Sequence, residues 1–325
     1  MRRREVIVGL AAAATNVATA HAQQAVRQAR LGFLHPRLSA VVEPLRLAAV
    51  RDGLVASGAP SRPIDIIARV ADGTPERLRA YAQELAAAQL DVIVAVSPSG
   101  VAAMREATRT TPIVAVDLET DPVAEGWVAS LAKPGGNVTG VFFDFADFTA
   151  KCLQILVEAV PHLSHVGVVW DPTTGKYQRA AIEPLAASQG ISLQVRETSA
   201  LTEVEPAVRS LAAGGVQALF FLSSPLFSAN TRTAATLAAS AGLPSIMLFP
   251  EFARDGGLIA YGPDLQDMFR RAGMMARRII DGAISADLPV ERPVRFNFIA
   301  NLRTARALGL MLPPLLLARA DEVIE

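Results

Sequence analysis

Short apolar runs alternate with helix-patterned segments along almost the whole chain, and they do so in two series. Strand-like runs begin near residues 30, 64, 91 and 112, and a second set begins near 166, 191, 217 and 245. Asp91–Val96 is almost continuously apolar, as expected where both faces of a strand are covered in a parallel sheet. The segments between runs carry helical spacing, as in Val41–Ser57 through Leu45, Ala48, Ala49 and Val55. Such strand–helix units make parallel sheets with right-handed crossovers. The expected fold class is therefore α/β, with two doubly wound lobes joined by a hinge.

The stretch Leu131–Phe145, LAKPGGNVTGVFFDF, reads as the junction between the two series. Pro134, Gly135 and Gly136 stop a helix, and Asn137–Phe143 is rich in strand-favouring Thr, Val and Phe. The expected division is 27–143 plus 262–292 in one lobe and 144–261 plus 293–325 in the other. The last strand, Pro293–Ile299, could join either sheet. Thr74-Pro75-Glu76 reads as a capped helix start, and Gly190 as a left-handed helix end. Asp121-Pro122 predicts a short helix ending near Leu131. Ser223-Ser224-Pro225 predicts one helix to about Ala241, and Asn301–Leu308 and Pro313–Val323 predict two terminal helices.

The 325 residues are 51% hydrophobic and 19% charged, a globular composition long enough for about two domains. Lys plus Arg and Asp plus Glu are equal at 31, so no basic surplus points to nucleic acid. Cys152 is the single cysteine, which excludes an intrachain disulfide and reads as packing. The N-terminus predicts an export signal over residues 1–22. Arg2, Arg3 and Arg4 form a charged head, Val6–Ala14 is an apolar run too short to span a bilayer, and Ala20-His21-Ala22 is a small-x-small cleavage site. The paired arginines resemble a twin-arginine signal loosely, since Glu5 and Val6 follow.

Enzyme motifs are missing. Gly135–Gly140 precedes a strand instead of opening a helix, so it is no phosphate-binding fingerprint. Gly175-Lys176 lacks the rest of a phosphate loop, and no Gly-x-Ser-x-Gly elbow occurs. His162 and His165 flank a turn and read as solvated residues; no metal site and no cofactor are expected. What remains is a set of polar and aromatic residues at strand ends, where open α/β sheets bind ligands. These are His35, Ser97, Ser99 and Asp117 in the first series, and Trp170, Asp171, Ser223 and Tyr261 in the second. Ser97 and Ser99 would bond a carboxylate or hydroxyl, Asp117 and Asp171 an amine, and Trp170 and Tyr261 would form an apolar wall. Each has a plainer reading as a cap, turn or core residue.

Several stretches together carry a family resemblance. Asp121-Pro122-Val123, Val128–Leu131, Pro134–Val141 (PGGNVTGV), Glu251-Phe252, Gly256-Gly257-Leu258, Tyr261-Gly262 and Ala318–Glu325 (ARADEVIE) resemble the ABC-transporter substrate-binding proteins of the tryptophan/tyrosine type. The resemblance covers about residues 28–325. It implies a type I periplasmic binding protein fold of two Rossmann-like lobes, a small-molecule ligand such as an amino acid or aromatic compound, and delivery to an inner-membrane ABC permease. It also implies a soluble, monomeric periplasmic protein with no nucleic-acid partner. The chain departs from the family pattern at Val96–Gly100, at Leu118-Glu119-Thr120 where many members have Gly-Gly, and at Trp170-Asp171-Pro172. The competing readings are an exported ligand sensor and an exported α/β hydrolase, the latter requiring a nucleophile–base pair.

Overall fold

The computed structural model describes residues 27–37, 42–143, 145–174 and 176–325. The expected export segment and its cleavage site lie outside the described residues. Strands β1 (Ala29–His35), β2 (Ile64–Val70), β3 (Val92–Val96), β4 (Ile113–Asp117) and β5 (Val138–Phe142) form one parallel sheet in the order β2-β1-β3-β4-β5. A second sheet contains β6 (His165–Trp170), β7 (Ser192–Glu197), β8 (Ala218–Phe221), β9 (Ser245–Met247), β10 (Ile259–Pro263), β11 (Phe296–Asn301) and β12 (Glu322–Ile324). Its order is β12-β11-β10-β9-β8-β6-β7. The fold class is α/β, as the alternation predicts. β3 and β4 are buried along their whole length, which is why their sequences lack polar alternation.

Strand order reverses around the first strand of each sheet. β1 lies between β2 and β3, and β6 lies between β7 and β8. The carboxyl ends of these neighbours are the places where crossover helices diverge and leave a crevice.

The chain passes between the sheets three times. After β5 it enters the helix Phe145–Ala159, which precedes β6. After β10 it enters the helix Leu265–Ile280, which packs on the helix Val42–Val55 and over β3, β4 and β5. Glu291 then bonds along β5, its N–H donating to the Gly140 carbonyl at 2.8 Å, before the chain re-enters the second sheet at β11. Aromatic rings collect at these crossings. Phe143 meets Phe148 edge-on at 4.7 Å, and Tyr261 stacks between Phe148 and Phe296 at 6.0 and 5.8 Å. The junction stretch also has a packing reason for its glycine. A Cβ on Gly140 would lie 2.2 Å from the Ala115 carbonyl oxygen of β4.

Several local expectations are corrected. Asp121 does not start a helix: its Oδ1 accepts from the Val123 and Ala124 N–H groups, and Gly126 at φ +65° closes a compact turn. The segment after Ser224 is two helices, Pro225–Ala229 and Thr231–Ser240, broken at Asn230 (φ −135°). The final helix is short (Pro314–Leu317), and the Glu322–Ile324 part of the ending forms β12, parallel to β11. β11 itself runs antiparallel to β10. Each was invisible to periodicity because the segments are too short to show a period. Gly190, at φ +70°, does take the left-handed helix end expected of it. Cys152 is fully buried and burial pushes its thiol well above the usual range, so its environment is that of core packing.

Candidate functional site

The carboxyl ends of β1, β3 and β4 face those of β6 and β8 across a closed cleft. Within it is a cavity of about 330 Å³ whose walls include Ser97 and Ser99 from one side and Asp171, Thr173 and Thr174 from the other. A second, smaller cavity of about 40 Å³ shares Ser97 and Pro225 with the first. Its walls include His35, Arg46, Glu119 and Phe249.

Ser97 occupies the turn from β3 into the helix Ser97–Ala107 with φ +64°, a left-handed conformation that disfavours a residue with a Cβ. Its Oγ lies 3.3 Å from Ser99 Oγ. Ser97→Gly should therefore raise stability by about 1 kcal/mol by relieving the strain, read as a higher urea midpoint; a lower midpoint would refute the strain. Thr74, expected to cap the helix Pro75–Ala87, makes no side-chain cap bond, and it lines the larger cavity. Arg37 is the basic side chain on the same wall.

Asp171 organises its side of the cleft. Its Oδ1 accepts from the Thr173 N–H and hydroxyl at 3.0 and 2.6 Å, and its Oδ2 accepts from Ser224 Oγ at 2.7 Å. This carboxylate is tied into its own turn and orients Thr173, and each of its oxygens already accepts at least one hydrogen bond. Gln178 clamps the next turn: its amide donates to the Ser223 carbonyl at 2.7 Å and accepts from the Ser223 N–H at 2.6 Å.

Ser223 in turn reaches across the cleft, its Oγ donating to Glu119 Oε1 at 2.7 Å. Glu119 is 2% exposed, and its Oε2 has no hydrogen-bond partner among the described residues. Beneath it lies Asp117, which is fully buried. One oxygen, Oδ1, accepts from the Glu119 N–H at 2.8 Å, and the other, Oδ2, is also unpartnered. Burial pushes the Asp117 carboxyl up to about 6, although hydrogen bonds from the Glu119 backbone, the Thr120 side chain, the Glu119 carboxyl and the Thr120 backbone oppose the shift. Glu119 is raised well above the ordinary range, first by burial and then by the charge of Asp117, with the Ser223 bond opposing.

Two further polar groups are buried here. His35 Nδ1 accepts from the Arg37 N–H at 3.1 Å, and burial, reinforced by the Arg46 charge, lowers its pKa to about 3. Arg46 is buried above the Phe269 ring at 5.4 Å and lies 4.0 Å from Glu251 across the cleft. Burial lowers its pKa, while Glu251 and Asp264 oppose the shift.

Of the residues singled out in the sequence, His35, Ser97, Ser99 and Asp171 line the cavities, and Asp117 and Ser223 contact Glu119 behind the wall. Trp170 and Tyr261, expected as an apolar wall, line neither. Trp170 is buried under Arg179, whose guanidinium sits 5.4 Å from its ring, and Tyr261 belongs to the aromatic cluster at the crossings. Both rings are pulled inward because burying a large aromatic surface outweighs exposing it at a strand end. The residues that spacing missed are Glu119, two positions beyond β4, and Arg46, a charge within the apolar helix Val42–Val55. A carboxylate beyond a fully buried strand was the available signal for the first.

Residues 39–324 match the sequence family described as ABC transporter substrate binding protein. The chain belongs to this family. It is also 27% identical over 224 residues to a tyrosine-binding protein of Clostridioides difficile, a match covering 68% of this chain and 63% of that protein, less than two thirds of its length. Among solved structures, an ABC domain from Streptococcus pneumonia in complex with L-Trp superposes with a TM-score of 0.83 at 22% identity, over 92% of this chain and all of that one. A substrate binding protein with adhesive properties from Clostridium difficile, in a ligand-free, open structure, superposes at 0.64 with 24% identity, over 92% of this chain and 99% of that one. The described residues contain no helix long and apolar enough to cross a membrane.

Proposed function

We propose that this protein is the solute-binding component of an ABC uptake transporter, exported to the periplasm, that captures a small molecule between two lobes and presents it to a membrane permease. The lobes are 27–143 plus 262–292 and 144–261 plus 293–325, with the three aromatic-lined crossings as the hinge. The observation that carries this reading is the cavity of about 330 Å³ walled by strand ends of both sheets, within the usual size of a small-molecule site. Contacts across the cleft, Ser223–Glu119 and Tyr177–Glu125 (2.8 Å), support closure as the capturing step. Tyrosine and tryptophan, named for the relatives, are the first compounds to try.

Binding without chemistry is the favoured reading of the same residues. Ser97 has Ser99 as its side-chain partner, and His35 already spends Nδ1 as an acceptor, so its neutral ring carries the proton on Nε2 and offers no free base to a serine. The test is a thermal-shift screen of amino acids, aromatic acids and small metabolites, followed by small-angle scattering. A ligand at 100 times its Kd should stabilise by roughly 2.7 kcal/mol and compact an open population. Absence of any compacting ligand, together with unchanged solute uptake on gene deletion, would overturn the proposal.

A further inference from the structure

We infer that the larger cavity takes an organic acid by its carboxylate, with the Arg37 guanidinium as the anchor, and that binding needs no ammonium group on the ligand. The inference names a substrate class for the proposed uptake function and rests on that reading. It parts from the tyrosine and tryptophan named for the relatives, which carry both charges.

The main chain fixes where Arg37 stands. Its N–H donates to His35 Nδ1 at 3.1 Å, and the carbonyl of Pro36 accepts from the Gly73 N–H at 2.7 Å. Arg37 and Gly73 both line the larger cavity. The guanidinium lies directly on the backbone of Gly73, where an added Cβ would be 1.9 Å from Nη2. The acidic neighbour in that turn, Asp72, pairs with Arg77 instead. Among the described residues the Arg37 side chain makes no ion pair and no hydrogen bond. A guanidinium carries five N–H donors and no acceptor, in a planar fork that matches a carboxylate. Here that fork sits at the wall of a ligand-sized cavity with its donors unspent.

The rest of the wall suits an anion as well. Ser97 Oγ and Ser99 Oγ lie 3.3 Å apart, so one can donate to the other and one hydroxyl proton remains for a ligand. The helices Pro75–Ala87 and Ser97–Ala107 both begin at this cavity without a side-chain cap, which leaves first-turn N–H groups to solvent or ligand. Asp171 is the acidic side chain on the wall, and it already accepts from the Thr173 N–H, the Thr173 hydroxyl and Ser224. The adjoining smaller cavity adds little negative charge. Burial favours the neutral forms of Asp117 and Glu119, and the cation there is Arg46. A carboxylate beside Arg37 would therefore meet an unpaired cation and free donors, whereas an ammonium group would meet a carboxylate that three donors already hold.

The test uses matched sets of probes that share a body and differ in charge. One set is 3-(4-hydroxyphenyl)propanoate, its methyl ester, L-tyrosine and tyramine. The corresponding indole and isobutyl sets and benzoate with its methyl ester and benzylamine complete the panel. Thermal shift and calorimetry are run on the wild type, Arg37→Gln and Arg37→Lys, with Arg51→Gln, at an exposed position, as the control for net charge. Acids should stabilise the wild type, their esters and amines should not, and no amino acid should bind more tightly than its deaminated acid. Arg37→Gln should weaken acid binding by about tenfold or more, Arg37→Lys by less, and Arg51→Gln not at all. Ser99→Ala leaves Arg37 in place and should weaken acids in the same direction, which guards against a folding defect peculiar to one variant. Unchanged acid binding in Arg37→Gln would overturn the inference. So would an amino acid that binds about tenfold more tightly than its deaminated acid, or failure of every acid to stabilise. If an amine or a neutral compound nonetheless binds and compacts the protein, the uptake reading stands and only the acid anchor falls.

Discussion

His35→Asn is expected to make stability fall more steeply as pH rises through the acid range. The His35 imidazole is held neutral, its pKa lowered from 6.5 to about 3 by burial and by Arg46. Above pH 6.5 it is neutral in both folded and unfolded chains and costs nothing. As pH falls below 6.5 the unfolded chain takes up a proton that the folded chain refuses until about pH 3, so stability is lost across that window, by at most about 5 kcal/mol. Asp117 acts with the opposite sign. Its carboxyl is raised from 3.8 to about 6, so stability is fullest below pH 3.8 and declines as pH rises to about 6, by roughly 3 kcal/mol. Glu119, raised by burial and by Asp117, extends that decline upward.

The His35 and Asp117 slopes oppose each other in the wild type between pH 4 and 6, and Glu119 adds to the Asp117 side. Asparagine at position 35 can still accept the Arg37 N–H, so the variant should retain the turn and expose the Asp117 slope, with stability falling as pH rises. Asp117→Asn should retain the acceptor for the Glu119 N–H and remove both the Asp117 decline and the charge that helps to raise Glu119, so stability should rise with pH relative to the wild type over the same range. Urea unfolding at half-unit pH steps reads both. Parallel curves for the two variants would contradict the burial of either group.

Gly273→Ala should lower stability by about 2–3 kcal/mol, although alanine is the better helix former by roughly 1 kcal/mol. The helices Val42–Val55 and Leu265–Ile280 touch through their backbones. A Cβ on Gly273 would lie 2.2 Å from the Val50 carbonyl oxygen, and one on Gly53 would lie 2.0 Å from the Arg270 carbonyl oxygen. Backbone carbonyls inside a helix cannot swing aside, so the helices must separate and loosen the packing of Leu265–Ile280 over β3, β4 and β5. Gly100 is the control, a glycine inside the helix Ser97–Ala107 whose added Cβ would meet nothing closer than 3.7 Å. Gly100→Ala should be neutral or stabilising by up to about 1 kcal/mol. Thermal melts of the two variants separate the explanations, because a propensity effect would shift both upward. Loss of packing at Gly273 should also widen the distribution of lobe orientations seen in small-angle scattering.

The sequence by itself determined the α/β class and the strand positions. Apolar runs such as Asp91–Val96 satisfy only a strand covered on both faces, and the Pro134-Gly135-Gly136 break leaves β5 little choice of start. It also located much of the cleft, since His35, Ser97 and Asp171 follow strands that periodicity finds. Tertiary structure decided the rest. Strand ends say where a pocket can form, but not which side chains turn into it. Trp170 and Tyr261 turned inward to bury ring surface, whereas Glu119 was drawn under the opposite wall by Ser223, 104 positions away in sequence. Arg46 is buried only through the Phe269 ring and Glu251, more than 200 positions away in sequence. Contacts of that separation leave no periodic trace, because each depends on two sheets meeting and not on either sheet's own pattern.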